Sequence, residues 1–125
     1  MVYSLSNINE LTERVIGCAF KVSNTLGPGF LEKVYENALV IELRKAGLKV
    51  AQQVPYNVLY EGQVAGLYVA DVVVEDLVLL ELKAIKELDS SHTSICLNYL
   101  NASKLTLCLL MNFAKPKLDV RRLAL

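Results

Sequence analysis

Two apolar runs near the middle of the chain each carry an acid: Tyr68-Val69-Ala70-Asp71-Val72-Val73-Val74 and, after a short turn, Leu77-Val78-Leu79-Leu80-Glu81-Leu82-Lys83. Their β-branched and leucine-rich composition predicts buried strands. A carboxylate buried there costs several kcal/mol unless a cation offsets it. Asp71 and Glu81 on adjacent strands therefore predict a cradle for a divalent ion, because carboxylate oxygens are the hard ligands that Mg²⁺ prefers. The backbone carbonyl of Leu82 can add a third oxygen. Side chains alternate along a strand, so Glu81 and Lys83 share a face while Leu82 points into the core. Lys83 then stands beside the ion, where it can orient or help to deprotonate water. The set suits metal-assisted hydrolysis.

The elements that must position these residues follow from periodicity. Asn7 or Asn9 caps a first helix with Leu11, Val15, Ile16, Ala19, Phe20 and Val22 on one face, and Gly27-Pro28-Gly29 stops it. A second helix is predicted over Phe30–Ala46, ended by Gly47. Strands are expected over Leu48–Leu59 and Gln63–Val74, joined by a hairpin turn at Tyr60-Glu61-Gly62. A turn at Glu75-Asp76 leads to a third strand, Leu77–Ile85. Ser90 or Ser91 caps a third helix running to Ser103. Strands over Leu105–Phe113 and Val120–Leu125, the latter at an edge, complete the order α-α-β-β-β-α-β-β. This is an α/β or α+β arrangement, a mixed central sheet flanked by helices.

The chain has 125 residues, 54% of them hydrophobic and 21% charged. That predicts a single domain over 1–125 and excludes a disordered or low-complexity chain. No apolar run approaches the roughly 18 residues of a membrane span, and no signal peptide is visible. Cys18, Cys96 and Cys108 are odd in number and far apart, which suits buried thiols in a cytoplasmic protein. A zinc site is not expected, with no CxxC pair and His92 the only histidine. The formal net charge of zero argues against gripping long nucleic acid by bulk electrostatics.

Gly29-Phe30-Leu31-Glu32-Lys33-Val34-Tyr35 matches the motif that names the GxxExxY proteins, and Ala70-Asp71, Glu81-Leu82-Lys83, Asn98-Tyr99-Leu100 and Met111-Asn112-Phe113 follow in that family's order. From about Val15 to Leu123 the chain resembles this family, which is grouped with the PD-(D/E)XK nuclease superfamily. The resemblance implies a restriction-endonuclease-like core of order α-β-β-β-α-β, here with one helix in front. It also implies a nuclease that uses Mg²⁺ or Mn²⁺ to hydrolyse phosphodiester bonds of DNA or RNA. Asp71, Glu81, the Leu82 carbonyl and Glu32 would then serve the metal, with Lys83 acting on water and phosphate. Tyr35, one turn from Glu32 on the same helix, and His92, where the family commonly carries histidine, are accessory candidates. Their plain alternatives are a core aromatic and a helix cap.

Three positions depart from the family pattern. Val69 stands where an arginine is common, Ile95 where a glutamine is common, and Asn101 where a lysine is common. Each change weakens the expected hold on phosphate and leaves the acids intact. The alternative reading is a non-catalytic interaction module that keeps the nuclease-like fold. A homodimer formed through the edge strand is compatible with either reading.

Overall fold

Alternation of apolar residues builds a five-stranded sheet with helices on both faces. The computed structural model describes residues 2–125. A short 3-10 turn, Leu5–Asn7, leads into α1 (Ile8–Leu26), followed by α2 (Glu32–Lys45), β1 (Val50–Tyr60), β2 (Gln63–Val74) and β3 (Val78–Lys83). Then come α3 (Ser90–Ser103), β4 (Leu107–Asn112) and β5 (Asp119–Ala124). The sheet order is β1-β2-β3-β4-β5, with β3 and β4 parallel and the other neighbours antiparallel. The predicted element order is therefore found, and the sheet is mixed, with β5 at one edge.

The two sheet faces carry separate cores. On one face Leu11, Val15, Ala19 and Val22 of α1 and Tyr35, Leu39 and Leu43 of α2 bury against Val72, Val74, Val78, Leu80, Leu82, Leu109 and Met111. On the other, Cys96 and Leu100 of α3 cover Val73, Leu79, Cys108 and Leu110. The even–odd split of β3 and β4 between these cores is the two-residue repeat of a strand covered on both faces. No helix among the described residues is long and apolar enough to cross a membrane.

Two helix starts differ from expectation. α2 begins at Glu32, not Phe30, because Tyr35 draws the preceding loop beneath it: its hydroxyl donates to the Gly27 carbonyl at 2.6 Å and accepts from the Phe30 amide at 3.2 Å. The cap of α3 is Asp89, not Ser90 or Ser91. Its carboxylate accepts from the Ser91 amide at 2.8 Å, and a negative group is favoured at a helix N-terminus. The hairpin turn sits at Glu61-Gly62, both at positive φ, the two-residue geometry that matches strand twist.

The β1–β2 hairpin changes faces midway. Val50 belongs to the α1/α2 core, but Val54 and Tyr56 belong to the α3 core; Val72 and Ala70 divide in the same way. Between them lie Gln53, with φ at 52°, and Asp71, flanked by the pairs Gln52↔Val72 and Val54↔Ala70. This switch places Asp71 where the two cores meet.

Candidate metal and hydrolysis site

The site begins where β2 and β3 part. Their ladder consists of Val74↔Val78, Val73↔Leu79 and Val72↔Leu80, whereas the β3–β4 ladder continues through Glu81↔Leu110 to Lys83↔Asn112. Asp71 and Glu81 would be the next pair. Beyond the ladder the Leu82 amide has lost its strand partner, and Asp71 Oδ2 accepts from it at 2.8 Å. Asp71 is half-buried, so one of its oxygens is fixed by backbone while the carboxylate remains within reach of solvent. Leu82 itself is 1% exposed and packs in the α1/α2 core. Glu81 and Lys83 lie on the opposite face of the strand, as alternation requires.

Glu81 is 6% exposed, and its Oε2 has no hydrogen-bond partner among the described residues. Burial pushes its carboxyl up to about 9, reinforced by the charge of Asp71 and hydrogen bonding to it; Lys83 pulls the other way. Without a cation Glu81 therefore holds a proton at neutral pH. A buried acid set against a second acid, with one oxygen unpartnered, is chemically suited to hold a positive ion. Among the described residues no three His, Cys, Asp or Glu side chains gather into a metal cage. Mg²⁺ commonly binds through only one or two carboxylates and keeps its own waters, so the pair is chemically sufficient.

The surroundings hold this pair in place. Asn112, fully buried at the end of β4, donates to the Ile85 carbonyl at 2.8 Å and accepts from the Ile85 and Ala114 amides at 3.1 and 3.2 Å. It staples the segment leaving Lys83. Tyr99 of α3 donates to the Val69 carbonyl at 3.1 Å and packs against Tyr68 with ring centroids 5.0 Å apart. Burial, then the charges of Glu81 and Asp71, pushes the Tyr99 phenol up to about 12. Cys96 is fully buried in the α3 core.

The other sequence candidates lie elsewhere. Glu32 is exposed in the first turn of α2, and no hydrogen bond or ion pair among the described residues ties it to Asp71, Glu81 or Lys83. Tyr35 is fully buried and stacks on Phe113 at 4.8 Å; its hydroxyl is used by Gly27 and Phe30. His92 accepts from the Asp89 amide through Nδ1 at 3.0 Å, closing the capping box of α3. Sequence reasoning missed Glu36. It is 4% exposed, and its carboxylate accepts from Lys33 at 3.1 and 3.2 Å, Gln52 at 2.7 Å and Gln53 at 2.9 Å. The available signal was its position one residue after Tyr35 and one turn before Leu39 and Val40, on the buried side of the helix.

A family model described as the PD-(D/E)XK nuclease superfamily matches residues 9–123, nearly the whole chain. No curated protein and no solved structure matches it.

Proposed function

This chain belongs to the PD-(D/E)XK nuclease superfamily, and from that membership we propose that it hydrolyses phosphodiester bonds of DNA or RNA with Mg²⁺ or Mn²⁺. The observation that carries this reading is buried Glu81, with an unpartnered oxygen, set against half-buried Asp71. Asp71 and Glu81 would hold the ion. N–H and C=O of one strand residue point the same way in the plane of the sheet. The Leu82 amide reaches Asp71, so its carbonyl faces the same gap and would offer a third oxygen. When bound, the ion supplies Lewis-acid stabilisation of the phosphate's developing charge.

The chain's own residues do the rest. Asp71 stays oriented because the Leu82 amide holds one of its oxygens. Lys83, next to Glu81 on the same face, donates to a phosphate oxygen and orients the attacking water. Tyr99 keeps α3 against the hairpin and closes one wall. Glu32, exposed at the start of α2, is not required by this assignment.

Purified protein titrated calorimetrically with Mn²⁺, then incubated with single- and double-stranded DNA and RNA, tests the proposal. Binding with cutting supports it. The zero net charge, with apolar Val69 and Ile95 near the site, favours a second reading, a non-catalytic interaction module. Mn²⁺ binding without cleavage of any of these substrates would favour that module, and no Mn²⁺ binding would remove the hydrolytic chemistry.

A further inference from the structure

A groove of about 380 Å³ runs between the β1–β2 hairpin and α3, lined by Asn57, Leu59, Tyr68, Asn98, Asn101 and Lys104 among others. Its volume falls within the range of about 300–1,000 Å³ typical of small-molecule sites. The lining has an unusual composition. Asn7, Asn9, Asn37 and Asn112 use their side-chain amides in bonds to the protein. Asn57, Asn98 and Asn101 make no such bond among the described residues and are exposed; Asn24 on α1 is likewise exposed and unbonded, but these three share one groove. Each offers both a donor and an acceptor. Tyr68 contributes an aromatic ring and Lys104 a positive charge.

Lys104 carries a second signal. It caps α3 at φ 65°, a left-handed position that glycine occupies most easily. A lysine here sets a charge at the groove despite the backbone preference. The groove also connects to the strand that carries Asp71, because Tyr68 packs on Tyr99, and the Tyr99 hydroxyl donates to the Val69 carbonyl two residues before Asp71.

We propose that this groove binds an unpaired nucleotide of a nucleic-acid strand whose backbone reaches Asp71 and Glu81, making single-stranded nucleic acid the preferred substrate class. The inference rests on the nuclease reading for its geometry. Carboxamides read the edges of a base, an aromatic ring stacks on its face, and one lysine meets one phosphate. Paired bases have their faces and pairing edges occupied and cannot enter. A chain without net charge has little to hold a duplex by phosphate contacts alone, so recognition through base faces suits it better.

Fluorescence anisotropy in EDTA tests this without metal or cleavage, using a labelled 12-mer single strand (about the site size of one single-strand-binding fold), its blunt duplex and a single strand with central abasic positions. The single strand is expected to bind at least about five-fold more tightly than either competitor, the low end of base-stacking effects. Tyr68→Ala and Asn101→Leu should each weaken it about five-fold while circular dichroism remains unchanged. Lys104→Gly relieves the left-handed strain, so its melting temperature should hold or rise. Its salt dependence should nevertheless fall by about 0.7 in the slope of log affinity against log salt. Equal binding of the abasic strand, duplex preference, no oligonucleotide binding, or wild-type affinity in the folded variants would each overturn the proposal. The two readings separate cleanly. A strand bound through these residues but never cut with Mn²⁺ leaves the groove and removes the hydrolysis. Cutting that is indifferent to these variants does the reverse.

Discussion

Glu36 and Glu81 are the same residue at nearly the same burial, 4% and 6% exposed, in opposite circumstances. Glu36, on α2, accepts hydrogen bonds on both oxygens from Lys33, Gln52 and Gln53. Glu81, on β3, faces another carboxylate and leaves one oxygen without a partner. Burial alone thus does not say what an acid is for. The donors that reach Glu36 make it an internal tie between helix and hairpin. The lack of donors at Glu81 favours its protonated form and leaves an oxygen position that suits a cation.

The largest expected effect is catalytic. Lys83→Ala should lower the cleavage rate with Mn²⁺ at least about 100-fold, as loss of a proton-transfer or charge-stabilising group does. Its Mn²⁺ affinity by calorimetry should change only a few-fold, because the carboxylates hold the ion. Equal losses in both would merge the roles assigned to Lys83 and Glu81.

Next comes the tied glutamate. Glu36→Gln puts an NH₂ group against donors that need an acceptor, and should cost about 1–3 kcal/mol in urea unfolding. An unchanged midpoint would mean that the Lys33–Gln52–Gln53 ties contribute nothing.

At Glu81 the same substitution should have the opposite sign. Between about pH 4.5 and about 9 the folded chain keeps a proton on Glu81 that the unfolded chain has released. The contribution is complete below about 4.5 and is lost as pH rises through about 9, so metal-free stability should fall over that window. The slope from this one group is at most about 1.4 kcal/mol per pH unit. Glu81→Gln should flatten that slope and make the metal-free chain more stable at pH 8 than the parent chain. It should also abolish the thermal shift that Mn²⁺ gives the parent chain. A destabilised Glu81→Gln variant with the slope intact would erase the contrast with Glu36.

The smallest effect sharpens the boundary between the two regions. Tyr35→Phe removes the hydroxyl's bonds to Gly27 and Phe30 and should cost about 1 kcal/mol in stability. Cleavage, normalised to folded protein, should be unchanged. A loss of rate beyond the loss of folded chain would return Tyr35 to the reaction.

Asp71, Glu81 and Lys83 were legible in the sequence because acids inside apolar strands conflict with their surroundings. The alternation rule alone separated Leu82 from its neighbours. Glu36 was legible only as a position: its spacing from Leu39 and Val40 puts it on the buried side of α2, but its donors Gln52 and Gln53 come from a strand that only the tertiary packing brings there. Asn112 was visible within the Met111-Asn112-Phe113 motif, but its clamp on Ile85 and Ala114 depends on chain segments remote in sequence.

Local periodicity determined the elements and their order, since three- to four-residue and two-residue repeats are properties of neighbouring residues. Tertiary structure decided three further things. β2 pairs with β3 only from Val72 onward, the hairpin changes faces at Gln53 and Asp71, and Tyr99 of α3 reaches the Val69 carbonyl of β2. Each depends on the twist and register of separate segments packed against two cores. No window of sequence contains that information, because the forces that set it act between residues tens of positions apart.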